Sequence, residues 1–348
     1  MLLVRLLASL LLLAGCSSGG GPARVDLAFT VTGRGPVVVL LNGHPQVAAS
    51  WEAIAPGLAR QHRVVVVDQR GQGDSPAPAD GYEMATRAAD VAALLRRLGV
   101  RRAAVIGADL GGQTAFALAR DNPDLITRLA VLEAVVPGTR AAQGPLSAPH
   151  ISRFAELGPM VQRTRGREEE HVRVFVCADR VPCPHPPALL ERYAEALRQP
   201  GHLRGAFAPY VELRDPPEPG RVHVPVLAVG GGLGIGDLPE QSLREVADDV
   251  TGVVLPGANH WLSEEHAPQL LRVLMPFLAT DVTPDHRGLS ESRRPSVDSD
   301  HRILEDQAHD PRSGGVVTQL RPQGPAGRRS ASPCDGWRHP ARRSLTSR

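Results

Sequence analysis

The chain has 348 residues, 42% of them hydrophobic, and a formal net charge of +2. That apolar share supports a real core and excludes wholesale disorder, and the near-neutral balance gives no reason to expect nucleic acid as a partner. All 39 Lys+Arg side chains are arginine, which excludes any mechanism built on a lysine Schiff base.

At the start, Arg5 and the apolar run 6–13 lead into Leu13-Ala14-Gly15-Cys16 and a flexible Ser/Gly stretch. The run is too short to span a bilayer, so residues 1–21 are predicted to be a signal peptide and linker. Short β-branched runs follow at residues 37–41, 64–67, 103–106, 129–132, 226–229 and 253–255. Uninterrupted apolar runs of this length suit strands buried on both faces of a parallel sheet. Helical patterns at 50–60, 84–98, 110–121, 238–247 and 264–278 lie between them. The alternation predicts a doubly wound, mostly parallel α/β sheet formed by residues 22–136 and 222–280. Residues 137–221 carry helical patches, such as 187–197, and no strand-like run, so they are predicted to form a helical cap inserted in the sheet. Within that stretch Cys177 and Cys183 are permitted to pair outside the cytoplasm, but their spacing neither requires this nor resembles a zinc site. Residues 281–348, rich in Ser, Arg, Pro, Asp and Gly, lack the apolar surface to offset ordering entropy and are predicted to be a disordered tail.

Gly107-Ala108-Asp109-Leu110-Gly111-Gly112 joins the strand run 103–106 to a helix. Glycines two before and two after a central residue allow a very tight turn that lifts the central side chain above the sheet. The helix N-terminus behind it favours a negative charge there. Such a turn usually carries serine; here it carries aspartate. The plainer alternative is that Asp109 only caps the helix.

Three further motifs accompany this turn. Leu41-Asn42-Gly43-His44-Pro45 follows one strand run, Asp68-Gln69-Arg70-Gly71-Gln72-Gly73-Asp74-Ser75 follows another, and Gly257-Ala258-Asn259-His260-Trp261 follows the last. With Asp109 they resemble the α/β-hydrolase fold, in particular its epoxide hydrolase and haloalkane dehalogenase branch, over about residues 24–280. The resemblance implies a cap inserted after the sixth strand, Asp109 as nucleophile, His260 as catalytic histidine, and the backbone N–H groups of His44 and Leu110 as oxyanion hole. It implies no metal or organic cofactor. Two carboxylates compete for the triad acid: Glu133, 24 residues after Asp109, and Asp237, beyond the glycine-rich stretch 230–234. The first spacing agrees better with the branch. One departure is Asn42, where the branch usually has histidine. His62, His202 and His223 lack comparable surroundings and are taken as structural. Leu-Ala-Gly-Cys separately resembles the bacterial lipoprotein box, which implies lipidation of Cys16 and export to the cell membrane, or secretion if the cysteine is incidental.

A carboxylate attacking an ester carbonyl gives an unstable anhydride, whereas attack on saturated, polarised carbon gives a stable alkyl ester. The expected substrate is therefore a small apolar electrophile, an epoxide or a carbon–halogen compound. Tyr210 resembles one of the two cap tyrosines that activate an epoxide oxygen. No tyrosine occurs from 138 to 192; His150 is the candidate for the second donor, and Tyr193 is expected only on a helix face. Dehalogenases of the branch have tryptophan or arginine beside the nucleophile, where this chain has Leu110 and Gln113. An epoxide hydrolase-like activity is expected, with a dehalogenase or a non-catalytic ligand-binding lipoprotein of the same fold as rivals.

Overall fold

The computed structural model describes residues 23–178 and 180–279, and the backbone of residues 318–320. Cys16 and Cys334 lie outside the described residues. Eight strands, Phe29–Thr32 (β1), Val37–Leu41 (β2), Arg63–Val67 (β3), Ala103–Ala108 (β4), Ile126–Leu132 (β5), Val226–Gly231 (β6), Val250–Leu255 (β7) and Thr318–Leu320 (β8), form one sheet in the order β7-β6-β5-β4-β2-β3-β1-β8. Strands β2 to β7 pair in parallel, and β1 pairs antiparallel with β3 and β8.

The apolar runs lack alternation because both faces of the sheet are covered. In β2, Val39 and Leu41 join a core on one face with Met84, Val91 and Phe116. Val38 and Leu40 join the opposite core with Trp51, Ile54 and Leu270. Each such buried side chain contributes about 1.5–3 kcal/mol, so the β-branched centre of the chain is committed to this sheet. Two helical patterns divide. Ala48–Trp51 and Ala55–Ala59 replace the first, and Leu262–Glu265 and Ala267–Ala279 replace the last. Pro56 and Pro268 stand in the first turns of the second pieces, where a missing N–H costs nothing and a new helix start is favoured.

Between β5 and β6 the described chain is helical, from Gln143–Leu146 through Glu168–Cys177 and Pro187–Arg198 to Pro209–Glu212. In this numbering the cap follows the fifth strand, because a single described strand precedes β2. The outer position beside β1 is filled from the far end of the chain by β8. Most of the segment 281–348 lies outside the described residues, but Thr318–Leu320 is paired and not structureless: Phe29 pairs with Leu320 and Val31 with Thr318. An open edge strand offers unpaired N–H and C=O groups to any β-prone segment, and Val316-Val317-Thr318 is β-branched. No described helix is long and apolar enough to cross a membrane.

Cys177 and Cys183 form a disulfide, the option their spacing left open. It closes a short loop at the end of the helix Glu168–Cys177. Loop-closure entropy for so small a ring amounts to about 2 kcal/mol. A Cys177→Ser/Cys183→Ser variant is therefore expected to melt roughly 4–8 °C lower in a thermal scan; an unchanged Tm would show that the bridge constrains nothing.

Candidate active site

Because the central strands are parallel, their C-terminal ends share one edge, where the loops of an open α/β sheet form a crevice. Asp109 stands there between β4 and the helix Leu110–Asp121, at φ 51° and ψ −125°. That left-handed backbone is rare for a side chain longer than glycine and is held only by its surroundings. The surroundings are close-packed backbone. A Cβ on Gly107 would strike the Gly111 carbonyl, and one on Gly111 would strike the Leu41 carbonyl at the end of β2. A Cβ on Gly43 would strike the Asp109 carboxylate itself.

The Asp109 side chain makes no capping bond to its helix, so the plainer reading of the turn fails. Its Oδ1 instead accepts the His44 N–H at 2.9 Å, and its Oδ2 faces His260 Nε2 at 3.8 Å. His44 is the donor to that carboxylate among the described residues; Leu110 N–H makes no bond to it. Asn42 has a structural use in the same loop, with its amide donating to the Gln46 carbonyl at 2.7 Å and to Gln72 Oε1 at 3.0 Å.

Behind His260, Nδ1 lies 3.1 Å from Glu133 Oε2. Glu133, at the end of β5, also sits in the left-handed region, at φ 48°. Its side chain reaches across to the loop after β6. There Oε1 accepts the Gly231 N–H at 2.5 Å, and Ile235 N–H donates to both oxygens at 3.2 Å. A Cβ on Gly234 would strike this carboxylate. Asp237 is exposed at the start of the helix Leu238–Val246 and makes no bond to His260. Burial pulls the His260 pKa down, but the Glu133 hydrogen bond and the charges of Asp109, Glu133 and Glu264 outweigh it and hold the ring above its ordinary value. The imidazole keeps about a third of its surface open, its side chain being 32% exposed against 1% for Glu133.

The cap supplies the roof. Tyr210 is 1% exposed, and its hydroxyl makes no hydrogen bond among the described residues. Burial and the Asp109 charge raise its pKa well above the usual phenol value, with the buried Arg87 opposing. His150 is exposed at its residue surface, yet its ring feels both Asp109 and His260, and burial lowers its pKa. Tyr193 is unavailable, because its hydroxyl donates to Glu264 Oε1 at 2.5 Å. Two further residues join the site. Glu264 ties the His260 loop to Gln46 Nε2 at 2.7 Å and to Tyr193. His171 meets the His44 ring, Nε2 to Nε2, at 3.0 Å. His171 also stacks on Phe175, one turn along the same helix, with ring centroids 6.2 Å apart. Among the described residues no cluster of three or more His, Cys, Asp or Glu suits a metal. A cavity of about 750 Å³ lies on another flank between β1, Trp51 and Arg192 and includes neither Asp109 nor His260; bonded chemistry, not cavity size, marks the site.

The family model for the alpha/beta hydrolase fold matches residues 36–267. The soluble epoxide hydrolase of Corynebacterium sp. (strain C12) is 30% identical over 269 residues, covering 72% of this chain and 93% of the relative. The fluoroacetate dehalogenase of Burkholderia sp. is 38% identical over 116 residues, covering 32% of this chain and 38% of the relative. Among solved structures, epoxide hydrolase CorEH without ligand superposes with a TM-score of 0.67 at 28% identity, over 73% of this chain and 95% of that one.

The geometry makes the His260 titration a direct check. By NMR its pKa is expected above the ordinary 6.5, and Glu133→Gln is expected to lower it. An unaltered His260 pKa in that variant would break the link between the two residues.

Proposed function

We propose that this chain, which belongs to the alpha/beta hydrolase fold family and to its epoxide hydrolase-like branch, hydrolyses a small apolar epoxide through an alkyl ester on Asp109. The observation that carries the reading is the carboxylate at the elbow, with one oxygen on the His44 N–H and the other turned toward His260. In the first step Asp109 Oδ2 attacks a ring carbon, the carbon–oxygen bond breaks, and the ring oxygen takes a proton. Tyr210 is the donor best suited to give it, since its hydroxyl is unspent and its raised pKa keeps it protonated at neutral pH. His150 serves as the second donor through the N–H of a neutral ring.

In the second step His260 removes a proton from water, which adds to the ester carbonyl carbon of Asp109. Oδ1 becomes the oxyanion, stabilised by the His44 N–H and, once charge develops, by that of Leu110. Collapse releases the diol, with its departing oxygen reprotonated by His260, and restores the carboxylate. Glu133 fixes the imidazole tautomer and stabilises its positive form. This step needs neutral His260, so its rate rises with pH through the raised His260 pKa. Asp237 has no part in it. The residues require no metal or organic cofactor for any step.

Two observations favour an epoxide over a halide. Leu110 and Gln113 occupy the places beside Asp109 where a tryptophan or arginines would hold a leaving halide or a substrate carboxylate, and the buried Gln113 carbonyl oxygen is an acceptor without a partner. We also propose export with a lipid anchor at Cys16, a reading that the Cys177–Cys183 disulfide favours, since such bonds persist in oxidising compartments.

A His260→Gln variant incubated with a panel of epoxides and haloalkanes is expected to retain an alkyl adduct on Asp109, found by peptide mass spectrometry after epoxide exposure. Adducts from haloalkanes alone would assign the dehalogenase reaction instead. No adduct from any compound on a folded protein would sink the covalent reading.

A further inference from the structure

The His44 ring, not only its backbone, is part of the site. It is 2% exposed and enclosed by the rings of Phe154, Phe175, Phe207 and Tyr210, with centroids 5.2 to 5.7 Å away. An apolar side chain would fill such a cage without cost, whereas a buried imidazole needs partners. One polar ring meets it: His171, from the cap helix Glu168–Cys177, at 3.0 Å between the two Nε2 atoms. Burial, with smaller contributions from His171 and His150, holds His44 well below its ordinary pKa. Burial alone takes His171 to about 4. Both rings are therefore neutral near pH 7, and a contact between two neutral imidazoles is a hydrogen bond only when one Nε2 carries the proton and the other does not.

The Nε2–Nε2 contact fits either direction; with the His44 proton on Nδ1, Nε2 is the acceptor and His171 is the donor. The same residue His44 carries the N–H that holds Asp109 Oδ1 at 2.9 Å. One side chain bond from the cap and one backbone bond to the carboxylate thus meet in a single residue.

We infer that His171 is a positioning residue, whose Nε2–H fixes the His44 imidazole and through it aims the His44 N–H at the oxygen of Asp109. This rests on the alkyl-ester reading above. His171 makes no bond to substrate and moves no proton. Its effect concentrates in ester hydrolysis, where Oδ1 gains charge, rather than in alkylation, where Oδ2 attacks. Donors aimed at developing charge act most strongly in that kind of step.

A packing role and a donor role give opposite results for two variants. His171→Phe keeps a ring in a cage of rings and removes the donor; His171→Gln gives up the ring but brings an amide N–H to about the same place. With the full chain and an epoxide that alkylates Asp109, His171→Phe is expected to slow ester hydrolysis by about 10- to 100-fold. The adduct should accumulate on intact-mass analysis while the alkylation rate stays near that of the parent. His171→Gln is expected to restore most of the hydrolysis rate. A fast His171→Phe variant, or equal losses in both variants, would overturn the assignment. A substrate-free readout separates this from failure of the covalent reading. Ring nitrogen NMR of the parent is expected to show His44 protonated at Nδ1 and His171 at Nε2. Finding His44 protonated at Nε2 overturns the inference even where adducts form. Absence of adducts in the His260→Gln protein, with the expected tautomers intact, faults the alkyl-ester reading and not the bond.

Discussion

The corner between β4 and the helix Leu110–Asp121 is turned where three backbones pass with no side chains between them. Gly107 and Gly111 approach each other, Gly111 lies against the end of β2, and Gly43 leaves room for the Asp109 carboxylate. The contact is steric, yet its outcome is electrostatic. It holds Asp109 in a strained left-handed conformation and brings its charge to the His44 N–H and to His260. The helix N-terminus behind it favours the same charge. Strain of this kind costs on the order of 1–3 kcal/mol, which the doubly covered sheet supplies.

Support for His260 crosses from β5 to the neighbouring strand β6. The acid follows β5, but its oxygens are held by backbone N–H groups of the last residue of β6 and of the loop after it. Gly234 leaves the space into which that carboxylate fits. A buried carboxylate needs this level of hydrogen bonding to offset its desolvation. The result is a histidine whose raised pKa arises from partners and not from exposure. In the proposed reaction such a ring accepts a proton from water and returns it to the leaving alcohol.

Much of this was legible in local pattern. Glycines at fixed offsets around Asp109, a histidine in the loop after the last core strand, and a carboxylate ending an apolar strand each carry their own signal. Contacts between cap and core do not. His44 and His171 are 127 residues apart, and nothing in either neighbourhood announces the other, so the sequence pointed to the His44 backbone and not to its ring. Tyr193 was expected only on a helix face; its burial and its bond to Glu264 depend on how the cap docks. The edge strand Thr318–Leu320 was missed because a three-residue pairing is diluted in a polar tail, and edge pairing depends on the partner strand more than on composition. The disulfide stayed open for a like reason, since spacing permits a bridge that only the folded loop completes.

Isotope labelling over one turnover tests the central claim, that Asp109 donates its own oxygen to the product. With enzyme in excess over epoxide in H₂¹⁸O, the first-turnover diol is predicted to contain no ¹⁸O, and the peptide bearing Asp109 is predicted to gain one ¹⁸O atom. A diol labelled from water in that first turnover, with Asp109 unlabelled, would mean that water attacks the substrate directly and would contradict the account.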